Sequence, residues 1–384
     1  MSTFCTEPYK QIHFDSRGNL GPCCQYVGER PDVDNFDAYL QSEWLKKLKE
    51  DLGNGEKVPG CNFCWKQEES GAKSMRQKRA NYYKDRPNKS IEHIMITFGN
   101  QCNTACRICN ASRSSLIEKQ YKEMSNTVTD PKLLALINKK HNWEKSKTWY
   151  RNIINDIVDN AESIRKLEIS GGEPFINVHF DRLIDKLIES NKKLPGLNIT
   201  TNGSFSEEQI VKLEKFEHLH INFSIDGSGK NFYEYLRWPL KWNDVVSKID
   251  ILKKYPWITC EFVIVPHNLN LLNLSDSIIW FKEYTDYDER FKIGFSWLNG
   301  APWYSLDNSP KWAREQAVKE IESAIFVDYT DVEVEQINEL VSILNNSNNP
   351  TNLELLKSHI EMTDTYRGCN TWDTIGWEYD EITR

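Results

Sequence analysis

Residues 91–109 read Ile91-Glu92-His93-Ile94-Met95-Ile96-Thr97-Phe98-Gly99-Asn100-Gln101-Cys102-Asn103-Thr104-Ala105-Cys106-Arg107-Ile108-Cys109. The apolar run over 91–98 predicts a strand, and a CxxxCxxC loop follows directly after it. Three thiolates fall one short of the set that a cubane iron–sulfur cluster or a structural zinc normally uses. A three-ligand site leaves one metal position open, and open positions are where chemistry happens. By spacing the triplet fits a redox cluster, part of a zinc site with a fourth ligand elsewhere, or small buried residues. Zinc more often uses paired CxxC units, and the polar neighbours Gln101, Asn103, Thr104, Arg107 and Asn110 do not suit a buried apolar turn.

The second informative stretch is Lys166-Leu167-Glu168-Ile169-Ser170-Gly171-Gly172-Glu173-Pro174-Phe175, a short apolar strand entering a Gly-Gly-Glu-Pro turn. The glycines let the backbone approach a ligand closely, Glu173 offers an acceptor for an ammonium group, and Pro174 stiffens the exit. Alone, the stretch reads equally well as an ordinary strand-to-helix turn. Together with the cysteine triplet one strand earlier, it resembles the radical S-adenosylmethionine (radical SAM) superfamily. That resemblance implies that Cys102, Cys106 and Cys109 hold a [4Fe–4S] cluster whose open iron is chelated by the methionine amino and carboxylate groups of SAM. It implies that Gly171, Gly172, Glu173 and Pro174 bind SAM. One electron then cleaves SAM to methionine and a 5′-deoxyadenosyl radical, which abstracts a substrate hydrogen. The cofactors carry the difficult chemistry, and the protein supplies orientation and excludes water.

From residue 90 onward, strands alternate with helices. Strands are predicted at 91–98, 167–170, 197–201, 220–225, 259–265 and 291–297. Amphipathic helices are predicted at 178–189, 207–216, 242–255 and 271–284. Repeated strand–helix units imply an α/β fold with a parallel sheet covered by helices. Six such strands match the partial (β/α)6 TIM-like barrel that the resemblance implies, with the site at the carboxyl ends of the strands.

Two strand ends carry further candidates: Thr200-Thr201-Asn202-Gly203 and Ser224-Ile225-Asp226-Gly227. Both resemble radical SAM segments facing the SAM ribose and carboxylate, which makes Ser224 the first candidate and Asn202 and Asp226 the next. Asn-Gly and Asp-Gly are also ordinary turn formers. Arg237 has a planar fork suited to the SAM carboxylate, or to an ordinary ion pair. Val265, at the end of the fifth strand, would lie along adenine by family analogy.

Residues 1–89 hold five further cysteines. Cys5 precedes a strand-like 11–14 and an Asp-Ser-Arg-Gly turn; Gly18-Asn19-Leu20-Gly21-Pro22-Cys23-Cys24 and Gly60-Cys61-Asn62-Phe63-Cys64-Trp65 follow. Cys5, Cys23 (or Cys24), Cys61 and Cys64 make a complete four-thiolate set, which closes a cluster or a zinc. By spacing alone zinc is the commoner assignment. The Gly18-x4-Cys23 pattern and the later CxxC resemble the SPASM/twitch modules of radical SAM maturases, which implies a second, auxiliary [4Fe–4S] cluster with Cys23 as ligand. Those modules usually follow the barrel, whereas this one precedes it. Full ligation favours electron transfer or structural support over direct substrate binding. Cys260 and Cys369 read as structural, with a further ligand or a hydrogen donor as the alternative for Cys369.

The resulting partition is 1–89 as auxiliary iron–sulfur module, 90–300 as core barrel and 301–384 as helical extension. Residues 126–150, with Trp143 and Trp149, form an insertion read as a peripheral helical hairpin. Residues 298–304, with Trp303 and Tyr304, leave the last strand where a substrate pocket or ordinary packing would use them. The eight histidines show no metal-ligand spacing.

With 48 basic and 56 acidic residues the net charge is −8, which speaks against nucleic-acid or membrane-surface binding. No stretch approaches a membrane span, and the start lacks a signal-peptide pattern. Ten cysteines without such a pattern favour metal binding over disulfides, hence a reducing cytoplasm. The expected activity is therefore radical SAM modification of a peptide or protein, with electrons from a flavodoxin- or ferredoxin-type donor. The alternatives are a radical SAM dehydrogenase or epimerase of a sugar or small metabolite, and a non-catalytic iron–sulfur or zinc-stabilised binding protein. An intact Gly-Gly-Glu-Pro segment argues against the last, since a carrier needs no SAM site.

Overall fold

The computed structural model describes residues 3–15, 17–69, 73–85, 90–139, 145–298, 301–324 and 328–383. Trp143, Asn299 and Gly300 lie outside the described residues. Among the described residues eight strands form one sheet: β1 Gln11–Phe14, β2 Leu20–Gly21, β3 His93–Thr97, β4 Lys166–Ser170, β5 Gly196–Thr201, β6 His218–Ser224, β7 Ile258–Ile264 and β8 Phe291–Phe295. Their order is β2-β1-β3-β4-β5-β6-β7-β8. The sheet is mostly parallel, as an α/β fold requires. Registers include Ile12 opposite Ile94 and Ile94 opposite Leu167, with β2 antiparallel to β1.

The expected strands form, shifted by one or two residues at their ends. The helix Val178–Glu189 has the expected bounds. The predicted 207–216 divides into an α-helix Glu207–Lys212 and a 3-10 turn Leu213–Lys215. The predicted 271–284 opens as a 3-10 turn, Leu271–Asn273, before Leu274–Tyr284. Helix ends commonly tighten in this way.

Side-chain alternation explains what each strand does. In β4, Leu167 and Ile169 are fully buried while Lys166, Glu168 and Ser170 are half-exposed. The same period of two runs through β5, β6 and β7, so each strand has one apolar and one mainly polar face. Burying each Leu or Ile contributes about 1.5–3 kcal/mol. The polar face carries Asn198, Thr200, His220, Asn222, Ser224, Thr259 and Glu261. A packed barrel interior is filled by Val, Ile and Leu; this face is hydrophilic instead.

The chain divides into two compact units. The first is Met1–Gly99, Asn142–Ile199 and Glu208–Leu219; the second is Asn100–His141, Thr200–Glu207 and His220–Arg384. In the first, the amino-terminal strand β1 is hydrogen-bonded in parallel to β3. In the second, Ala105, Ala111, Ile117, Tyr121, Met124, Leu133 and Ile137 form one buried cluster. The helix Pro131–Ile137, expected in a peripheral hairpin, thus joins the core beneath the cysteine loop. Among the described residues no helix is long and apolar enough to cross a membrane.

A buried histidine supports the second unit. His359 Nδ1 pairs with the Tyr304 hydroxyl at 2.8 Å and Nε2 with the Tyr121 hydroxyl at 3.0 Å. Burial, reinforced by the Arg107 and Arg367 charges, holds its pKa at about 3. The unfolded chain binds this proton near pH 6.5 and the folded chain resists it, so stability falls as pH drops from about 6.5 through about 3. The loss attributable to His359 is about 4–5 kcal/mol at full protonation. Urea unfolding between pH 7 and 4 is expected to show this decline in the parent protein and a flatter profile in His359→Gln.

Candidate functional site

The triplet loop leaves β3 and is fixed by its own polar residues. Cys102 N–H donates to Ser115 Oγ at 3.1 Å, Ser115 N–H to the Asn100 carbonyl at 2.7 Å, and Cys109 N–H to the Cys106 carbonyl at 3.1 Å. The Thr104 hydroxyl lies 3.1 Å from Cys102 Sγ and 3.6 Å from Cys106 Sγ. Asn202 Nδ2, across the loop, donates to Asn103 Oδ1 at 3.0 Å and approaches Cys102 Sγ at 3.9 Å. The structure therefore brings Asn202 to the triplet. It also adds Thr104, whose sulfur contacts the spacing did not single out.

Two further candidates of the second unit meet each other. Arg237, read as suited to the SAM carboxylate or to an ion pair, is buried and donates through Nη1 to Asp226 Oδ2. Asp226, in the left-handed region at φ 56°, accepts the Val265 N–H on Oδ1 at 3.1 Å. Asn270 Nδ2 then bridges the carbonyls of Asp226 and Val265 at 2.8 and 2.9 Å. These four residues lock the ends of β6 and β7 together. A buried arginine needs a partner, and Asp226 supplies it; the Val265 N–H is likewise committed within the protein. Ser224 stays half-buried on the polar face, and its hydroxyl bonds to no other described residue.

In the first unit, β4 ends at the glycine pair, with Gly171 at φ 83° and Gly172 at φ 57°. A Cβ on Gly171 would stand 2.1 Å from Thr97 Cγ2, so only glycine lets this turn close on β3. Glu173 is 1% exposed, and its Oε1 accepts the Phe175 N–H at 3.2 Å. It begins a 3-10 turn Pro174–Ile176, and Asn177 ties the following helix to the Phe98 carbonyl at 3.1 Å. Gly171→Ala combines a left-handed backbone with this clash, at about 1–3 kcal/mol. A lower thermal midpoint and SAM affinity weakened by at least about tenfold are expected. Adding Thr97→Ser, which removes Cγ2, should restore part of both; calorimetry with SAM checks it.

The amino-terminal cysteines gather in the same unit. Burial raises the Cys5 thiol, with Glu7, Cys61 and Cys64 adding repulsion. Cys23 is raised by burial and then by Cys24 and Cys5. Cys24 is affected, after burial, by Glu168 and Glu7, and its Sγ lies 3.9 Å from Met75 Sδ. Cys23 thus neighbours Cys24 and Cys5, and Cys24 neighbours the carboxylates Glu168 and Glu7. Cys260 is buried in β7. Cys369 is exposed, with Sγ 2.9 Å from Arg107 Nη2.

Among the described residues no three His, Cys, Asp or Glu side chains converge to hold a single ion. A cubane does not ask for convergence: each thiolate binds its own iron, so its cysteines ring a volume. The donor chemistry of the triplet fits that group. The Cys109 thiol is pushed up to about 12 by burial and then by Cys106 and Cys102. A thiol so raised gives up its proton when a metal cation takes the proton's place.

Residues 96–271 match the model of the radical SAM superfamily. The chain is 23% identical over 195 residues to a probable GTP 3′,8-cyclase of Methanocaldococcus jannaschii, covering 51% of this chain and 54% of that protein. It is 33% identical over 95 residues to the GTP 3′,8-cyclase of Desulforamulus reducens, covering 24% and 29%. It thus spans about half the length of the first relative and less of the second. Among solved structures it is similar to Streptococcus suis SuiB bound to S-adenosylmethionine, at 15% identity and TM-score 0.39 over 78% of this chain and 62% of that one. It is also similar to anSMEcpe with bound AdoMet, at 14% identity and TM-score 0.41 over 68% and 63%.

Proposed function

We propose, from the match of residues 96–271 to the radical SAM model, that the chain is a radical SAM enzyme acting on a peptide or protein. The observation that carries the reading is the cysteine triplet on a strand-end loop with Asn202 against it. Cys102, Cys106 and Cys109 hold the [4Fe–4S] cluster, with Thr104 and Asn202 orienting the loop. Gly171, Gly172 and Pro174 shape the SAM cradle, and Glu173 receives the methionine ammonium. Ser224 bonds the ribose or carboxylate of SAM. Asp226, Arg237 and Val265 support the site through the strand-end lock rather than by touching SAM. When bound, the cluster and SAM supply a 5′-deoxyadenosyl radical that takes a hydrogen atom from the substrate.

The residues 1–89 carry, in this reading, a second [4Fe–4S] cluster on Cys5, Cys23, Cys61 and Cys64, as a SPASM/twitch-like module for electron transfer or support. Residues 90–300 are the partial barrel and 301–384 the helical extension. Electrons come from a flavodoxin- or ferredoxin-type donor in the cytoplasm, a setting consistent with none of the ten cysteines forming a disulfide. The polar face of β5 to β7 supports a substrate rich in hydrogen-bonding groups, as a peptide is.

A second reading takes a nucleotide as substrate, favoured by the relatives that are GTP 3′,8-cyclases. Anaerobic reconstitution with dithionite and SAM separates the possibilities. The enzyme reading expects 5′-deoxyadenosine; a fully iron-loaded protein that yields none contradicts it. Stimulation of cleavage by GTP, with a modified guanine product, would replace the peptide by the nucleotide.

A further inference from the structure

Arg107 lies between two cluster cysteines, yet its side chain serves the carboxyl-terminal part of the chain. It is 2% exposed and its guanidinium lies 4.3 Å from the centre of the Tyr235 ring. Nη1 donates to Thr363 Oγ1, and Nη2 donates to Asp364 Oδ1 at 2.6 Å and to Cys369 Sγ at 2.9 Å. Asp364 is itself held: its Oδ2 accepts the Thr371 N–H at 2.7 Å and its Oδ1 the Thr371 hydroxyl at 3.0 Å. The Thr371 hydroxyl meets the Tyr235 hydroxyl at 2.6 Å, closing a ring that returns to the stacked arginine. The loop backbone is bound to the same region, Ala105 N–H to the Trp238 carbonyl at 2.7 Å and Arg107 N–H to the Leu236 carbonyl at 2.9 Å.

We propose that Arg107 is a positioning residue through which the helix Leu353–Arg367 and the Thr371 turn hold the cysteine loop in its cluster-binding shape. The inference rests on the reading that Cys102, Cys106 and Cys109 carry the cluster. Thr363, Asp364 and Thr371 all lie outside the region that matches the radical SAM family, 96–271. The cluster loop thus depends on a segment belonging to the extension. Three neighbouring thiolates repel, and a loop that must present them needs an external anchor. Charge-assisted hydrogen bonds in a water-poor site supply one. Lysine cannot replace this arginine, because only the planar fork reaches Thr363, Asp364 and Cys369 while stacking on Tyr235.

The test uses the reconstituted full-length protein with Arg107→Lys and Asp364→Asn, singly and together. The readouts are the lifetime of the SAM-sensitive electron paramagnetic resonance signal under a ferrous chelator, its reduction potential, and circular dichroism for folding. Each single variant is expected to fold, to lose that signal about tenfold faster and to show an altered SAM-induced spectral change. The double variant should be no worse than either single one, because both break one network. Folded single variants with wild-type lifetimes, potentials and spectra would overturn the inference. A parent protein without any SAM-sensitive signal would overturn the underlying cluster reading, and this inference with it.

Discussion

Replacing Cys102, Cys106 and Cys109 together by alanine is expected to abolish 5′-deoxyadenosine formation while the protein keeps about half of its iron. In the proposed reading the triplet would supply three of the four ligands of a cubane, each thiolate serving a different iron. Their removal leaves Thr104 and Asn202 around a site with no anionic donor. The amino-terminal thiols form their own neighbourhood of Cys5, Cys23, Cys61 and Cys64, so about four of about eight irons should remain. The reciprocal change, Cys61→Ala with Cys64→Ala, should remove the other half and preserve some cleavage uncoupled from substrate. Cleavage by the triple variant would reverse the roles given to the two sets.

Among substitutions, a large structural effect is expected at Arg76. Its Nη2 and Nε grip Glu68 at 2.5 and 3.1 Å, Nη1 donates to the Phe4 carbonyl at 2.8 Å, and its guanidinium lies 4.9 Å from the Trp65 ring centre. Ser74 Oγ completes Glu68 at 2.6 Å. One side chain thus joins the segment before Cys5 to the helix Asn62–Glu69 that carries Cys64. Both charged side chains are 8% exposed, and removing one partner leaves the other charge buried without compensation. Arg76→Ala should therefore cost about 3 kcal/mol and release the amino-terminal iron. Arg76→Lys keeps the charge but loses the fork, and should fall between. Denaturant unfolding with iron analysis reads both; a loss under about 1 kcal/mol with iron retained would show that the pair does not organise the cysteines.

The strands were legible because period-two alternation is local: Leu167 and Ile169 against Glu168 and Ser170 announce β4 without reference to any other strand. The triplet and the Gly-Gly-Glu-Pro turn stand out because their residues lie close together in the chain. Contacts between distant residues were not. Gln11–Phe14 reads as a strand, but its parallel pairing with β3 is a choice between registers that only the folded chain makes. Asp226 and Arg237 each suit a SAM contact by residue type, and their pairing depends on the helix Lys230–Leu236 turning one toward the other. Arg107 read as one polar neighbour of the triplet, since its partners Thr363 and Asp364 are more than 250 residues away. The Trp303-Tyr304 stretch, read as pocket or packing, is buried, with Tyr304 spent on His359.

The central claim is that the missing fourth ligand of the triplet is SAM. Electron–nuclear double resonance on the reduced, reconstituted protein, with SAM labelled with 15N at its methionine amino group, measures that bond directly. A hyperfine coupling from the labelled nitrogen is expected in the parent protein and in Cys61→Ala with Cys64→Ala. It should be lost when Cys102, Cys106 and Cys109 are alanine. A protein with full iron and bound SAM but no nitrogen coupling would contradict the account.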